Sequence, residues 1–134
     1  LNIVGENSLT APTEINLDRT ASGLFPKSVV QYAYILYNNS GGLSQLSPLS
    51  FPFYITDKED NGESYHEWEN DTVDGVVEFT INDIPNNFDN IKVFRLQYTL
   101  DSEVQANSPH VYVILDKEID ALNINVTDKQ DPEL

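Results

Sequence analysis

The residues able to do chemistry are few and poorly arranged for it. Two histidines, His66 and His110, are present and cysteine is absent, which removes thiol nucleophiles, thiolate metal sites and disulfides together. Serine and aspartate are common, but no G-x-S-x-G elbow sets a serine on a strand-to-helix turn. His66 stands in a carboxylate-rich stretch and His110 directly follows Pro109; both read as surface or strand-end side chains. Carboxylates are so numerous that any pair chosen for glycosidase-like work is matched by many others. The pattern predicts no catalytic residue and no cofactor.

Metal binding has one loose candidate. Asp57, Glu59, Asn61 and Gly62 follow the opening of a D-x-[DN]-x-[DN]-G calcium loop, with Glu59 where Asp or Asn is usual. The position that should supply a bidentate glutamate is Trp68, and Glu67 comes one place early. Lacking its strongest ligand and any flanking helical pattern, the loop reads as solvated carboxylates. The same stretch holds Tyr65, His66 and Trp68, which could stack a sugar or anchor a partner protein. The competing reading folds Trp68 back over an open edge of the core. The N-x-[ST] triplets at Asn38, Asn70 and Asn125 matter only in a eukaryotic secretory context.

Composition narrows the partners. The 134 residues make one domain with enough chain for a real core, and 40% are hydrophobic, too many for a disordered segment. Twenty-two acidic against seven basic residues give a net charge of −15. That surface repels phosphate backbones and anionic bilayers, which excludes direct nucleic-acid binding and disfavours membrane contact. No apolar run is long enough to insert as a helix, and no signal-peptide pattern is present. The first residue is Leu1 rather than Met, so the expectation is a segment processed or cut from a longer polypeptide.

The elements that would position these residues are strands. Ser28 to Ile55 holds four of the seven tyrosines and reads as a β-hairpin. Val30, Tyr32, Tyr34 and Leu36 share one face, and Gln31, Ala33, Ile35 and Tyr37 the other. Asn38-Asn39-Ser40-Gly41-Gly42 supplies the turn. The return arm carries Pro48 and Pro52, so it should lie on a sheet edge or leave the sheet early. Thr13–Asp18 alternates with Ile15 and Leu17 on one side, whereas 19–27 reads as a loop. Val77, Phe79 and Ile81 alternate after Gly75, and Asp83–Asn87 is a turn. Ile91–Thr99 puts Phe94, Leu96 and Tyr98 on one face and Val93, Arg95 and Gln97 on the other. His110–Ile119 is apolar on both faces over Val111–Leu115, which predicts a central or doubly packed strand. Leu122, Ile124 and Val126 read as inward. Residues 57–74 read as a long acidic loop inserted in a domain spanning 13–128, with 1–12 an arm or edge strand and 129–134 a polar tail.

Six or seven short strands with turns between them, and no sustained 3.6-residue period, predict an all-β antiparallel sandwich, with a closed barrel as the alternative.

The order of motifs resembles an immunoglobulin- or fibronectin type III-like module in shifted strand order. Tyr32, Tyr34 and Tyr37, then Gly41, Gly42 and Ser44, then Ser47-Pro48 are similar to that module's last two strands. V-E-F-T-I-N-D-I-P at Val77–Pro85 and I-K-V-F-R-L-Q-Y at Ile91–Tyr98 resemble its earlier pair. The final V-Y-V-I-L-D-K-E-I and N-I-N-V-T-D resemble strands that close such units in phage tail proteins. Taken with V-Q-Y-A-Y-I-L-Y-N-N-S-G-G-L-S-Q-L-S-P-L-S and F-D-N-I-K-V-F-R-L-Q-Y-T, the chain resembles the tail stabilisation or muzzle proteins of crAss-like bacteriophages. The resemblance implies a virion structural role in the tail, with other tail proteins and further copies as partners and no catalytic residues. The alternative is an extracellular or cell-surface adhesion module that binds a bacterial glycan through Tyr65, His66 and Trp68.

Overall fold

The computed structural model describes residues 9–20, 24–26, 28–55, 72–98 and 109–129. These form nine strands: β1 (Thr13–Asp18), β2 (Leu24–Pro26), β3 (Ser28–Tyr37), β4 (Phe53–Ile55), β5 (Thr72–Asp74), β6 (Val76–Ile81), β7 (Asn90–Tyr98), β8 (His110–Glu118) and β9 (Ile124–Asp128). One sheet has the order β1-β6-β9, a second β4-β3-β7-β8, and β2-β5 make a two-stranded ribbon. Every pairing is antiparallel. The two larger sheets pack as a sandwich, and their strand orders end in edges rather than closing into a barrel.

The core follows from period-two alternation. Val30, Tyr32, Tyr34 and Leu36 of β3 are fully buried and meet Val77, Phe79 and Ile81 of β6 and Ile124 and Val126 of β9 in one cluster. The Tyr32 and Phe79 rings stack 4.2 Å apart, fastening one sheet to the other. Tyrosine is tolerated in this interior because each phenol has a partner. Tyr34 donates to the Thr10 carbonyl at 2.7 Å, and Tyr32 to Asp128 Oδ2 at 2.7 Å.

The proline-bearing arm does leave the ladder, by an unusual route. Only Phe53–Ile55 pairs with β3 as a regular strand. Between Ser44 and Ser50 every third residue is serine, and each serine satisfies both backbone groups of one β3 residue. The Leu36 N–H donates to Ser44 Oγ at 2.9 Å, the Tyr34 N–H to Ser47 Oγ at 3.0 Å and the Tyr32 N–H to Ser50 Oγ at 2.9 Å. In return the N–H groups of Ser44, Ser47 and Ser50 donate to the carbonyls of Leu36, Tyr34 and Tyr32 at 2.8–2.9 Å. Three residues of the arm thus run beside two of the strand, an advance of roughly 2.3 Å per residue from the ordinary strand rise. The residues between serines are thrown outward, so Pro48 never has to donate to the ladder.

Two stretches read as loops are strands. Phe25 is fully buried in the core and pairs with Val73, which pins Leu24–Pro26 against Thr72–Asp74. Burial of one aromatic side chain outweighs the loop signals of its neighbours. Gly75 follows at φ +143°, and a Cβ there would sit 2.8 Å from the Asp18 carbonyl oxygen. Glycine is needed where β6 starts beside the end of β1. Leu122 is exposed rather than inward, because β9 begins only at Ile124 and the Leu122 carbonyl is held by the Ile84 N–H.

Candidate functional site: the outer face of the four-stranded sheet

Asp57, Glu59, Asn61, Tyr65, His66 and Trp68 lie outside the described residues. His110 opens β8, exposed, its ring 6.4 Å from that of Tyr112. Among the described residues no three His, Asp or Glu side chains converge as a metal set would require.

The one buried charge cluster among the described residues joins the sheets. Arg95 Nη1 on β7 donates to Asp128 Oδ1 at 2.8 Å and Oδ2 at 3.1 Å, beside the Tyr32 phenol. The guanidinium lies 4.5 Å from the centre of the Tyr112 ring and 5.9 Å from that of Phe25. Its Nε is buried without a hydrogen-bond partner. Its geometry is that of an inter-sheet clamp.

Burial pushes the Tyr32 phenol well above its ordinary value of 10.0, and the negative charge and hydrogen bond of Asp128 add to this while Arg95 opposes it. A phenol whose folded value is raised contributes stability that is whole below the unfolded value and is lost as pH rises through the folded one. Wild-type stability is therefore expected to fall above about pH 10. Tyr32→Phe should show a shallower alkaline decline, checked by urea unfolding across pH 8–11. Tyr34, also raised chiefly by burial, keeps part of the slope in that variant.

The Arg95 clamp fixes which face of β7 turns inward. Val93, Arg95 and Gln97 are buried, so Phe94, Leu96 and Tyr98 are turned to the outer face, where each is half-buried. Strand pairing continues this face across the sheet. Phe94 stands between Ala33 on β3 and Val113 on β8, and Leu96 between Gln31 and Val111. Val111 is 58% and Val113 55% exposed. The far end of the face is polar, with Lys92 placed 5.7 Å over the Tyr37 ring and the Tyr37 phenol donating to Asp116.

β8 is not central. It pairs with β7 alone and ends the four-stranded sheet, with its register slipping by one residue at Val93/Phe94. The apolar run over Val111–Leu115 predicts a central or doubly packed strand, but among the described residues no strand pairs with β8 on its far side and most of its residues are exposed.

A second apolar feature lies where the serine arm passes β1. Phe51 is 87% exposed, and with Leu49, Phe53, Pro12 and Ile15 it borders a groove of about 440 Å³. Its charged member is Glu14, which takes a positive φ of 62° at the β1 bulge. Such a lining receives an apolar side chain; it offers no convergent polar groups for catalysis. The period-two pattern of Ile91–Thr99 held the signal for the outer face, since it set Phe94, Leu96 and Tyr98 together on one side.

A comparison with curated proteins returned no match. A family model described as crassvirus muzzle protein matches residues 1–131. Nearly the whole chain is covered by that match, and the all-β sandwich agrees with the fold that the sequence resemblance implied. The chain belongs to the crassvirus muzzle protein family.

Proposed function

We propose that the chain is a non-catalytic structural and assembly module of a phage virion, placed in the tail and acting through protein–protein contacts. The observation that carries this reading is the inverted β7: Phe94, Leu96 and Tyr98 face outward while Arg95 and Gln97 are buried. These side chains stay partly exposed, beside the exposed Val111 and Val113, and a many-copy particle covers such a face with its neighbours. Family membership supports the virion setting. The split into three- and four-stranded sheets, with β3 pairing β7 across a displaced strand order, supports a fibronectin type III-like module. Partners are other tail proteins and further copies, and the net charge of −15 keeps unassembled protein soluble.

The test is virion incorporation. The wild-type chain should co-purify with intact particles and their tail fraction. Leu96→Glu should leave the thermal midpoint of the free protein nearly unchanged yet lower incorporation at least about tenfold, since a charge buried in an interface costs more than a kcal/mol or two. Normal incorporation of that variant would remove the outer face from the reading.

A further inference from the structure

We propose that the edge of β8 that no described strand pairs is completed by an extended strand of a different virion chain, apolar where it passes Val111 and Val113 and basic where it passes Asp116, Glu118 and Asp120. The proposal rests on the assembly reading above and names the partner's chemistry at one surface.

The two long sides of the four-stranded sheet are treated differently. Along β3 the serine arm fills the ladder partners of Leu36, Tyr34 and Tyr32 and carries Pro48 and Pro52 on its outer side. Prolines, bulges and charges are the usual means of stopping a strand edge from recruiting another chain. On the opposite side, β8 runs from His110 through Leu115 with neither a proline nor a charged carboxylate or lysine, and its one bulge, beside Val93/Phe94, leaves His110–Val113 in regular register. Val111, Tyr112 and Val113 are all exposed there. The regular stretch His110–Val113 presents N–H and C=O groups at the strand repeat, and another extended chain fills them in register.

Side chains then set the occupant. The valines continue the apolar outer face, so the added strand is apolar at the positions beside them. Beyond Leu115 the edge turns acidic: Asp116, Glu118 and Asp120 are exposed, with Asp89 nearby through the bond from the Ile119 N–H to its carbonyl. Lys117 is drawn to Asp120 at 3.7 Å, and Lys92 lies over Tyr37. A second copy would bring another net charge of −15 to this edge, whereas a strand with lysine or arginine at that end is attracted to it.

Hydrogen exchange of the protein in purified virions, against the same protein purified free of particles, tests this directly. In particles every second amide over His110–Val113, where β8 is in regular register with β7, should slow at least roughly 100-fold, the alternate amides already being slow through their bonds to β7. Glu118→Lys/Asp120→Lys should lower incorporation about tenfold while leaving the thermal midpoint of the free protein unchanged. Equal exchange in both states would overturn the proposal, as would protection without alternation, which means cover by side chains alone. So would normal incorporation of the charge-reversed protein. A β8-to-β8 dimer of the free protein, trapped by disulfide formation in Val113→Cys of this otherwise cysteine-free chain, would identify a second copy instead and also overturn it. Absence of the chain from purified virions would overturn the assembly reading itself.

Discussion

Asp128→Leu is expected to destabilise the domain by about 3–5 kcal/mol, because it leaves the Arg95 guanidinium buried without a counter-charge. Asp128 is the acceptor for two donors from the opposite sheet, Arg95 and Tyr32, and both would lose it. The double replacement Arg95→Met/Asp128→Leu should recover most of that loss and can equal or exceed wild type, since apolar groups of similar volume need no desolvation of charge. The direction of the Asp128 titration agrees. Burial raises its carboxyl above the ordinary 3.8, more than the Arg95 charge and the Tyr32 and Arg95 hydrogen bonds lower it. A carboxyl raised in the folded state contributes stability that is whole below the unfolded value and is lost as pH rises through the folded one. Ionised Asp128 is thus a cost at neutral pH, set against the specificity with which it orients β7. Urea unfolding of the three proteins at pH 7 and near pH 4 checks both statements. Equal losses in single and double variants would show that the clamp stabilises outright. The double variant should also lose this group's share of the stability change between the two pH values.

Phe79→Ala is expected to cost about 3–5 kcal/mol, as large-to-small changes in a closed core do. Its ring stacks on Tyr32 and is nearly inaccessible, so the cavity has no way to fill with solvent. Phe94→Ala, on the outer face of β7, should cost the free protein only about 1 kcal/mol, because its ring is already partly in water. In assembled particles the order should change: Phe94→Ala weakens incorporation, while Phe79 acts only through the fold. Denaturant midpoints of the free proteins, measured beside their abundance in particles, separate the two faces. A Phe94 loss as large as that of Phe79 in the free protein would mean that the outer face is covered within the chain itself.

Arg95 shows why such a distinction was beyond one-dimensional reading. Ile91–Thr99 alternates cleanly, yet alternation defines two faces without saying which one is inside. The intuitive choice buries Phe94, Leu96 and Tyr98. The fold instead buries Arg95 and Gln97, because Asp128, on a strand 33 residues away, and Ser28, 69 residues away, supply their polar partners. β8 carries the same lesson. Its apolarity implied cover, but its position at the end of β4-β3-β7-β8 depends on pairings far apart in sequence. The short strand at Phe25 was hidden for a related reason, since three residues are too few to show a period.

By itself the sequence determined the all-β class, the positions of the main strands and turns, the two faces of β3, the departure of the proline arm from the ladder, and the family resemblance. These are local properties, written in period-two alternation, in Gly and Asn at turns, and in proline's missing donor. It also held the S-x-x-S-x-x-S spacing of the arm, whose meaning appears only when Leu36, Tyr34 and Tyr32 stand opposite. Tertiary structure alone decided which residues Asp128 joins, which face of β7 is turned out, and which strands end the four-stranded sheet among the described residues. The Tyr32–Asp128 bond spans 96 residues, and no local preference encodes a partner at that distance. The candidate site shifted accordingly, from residues that could do chemistry to a sheet face and an edge whose chemistry is that of pairing.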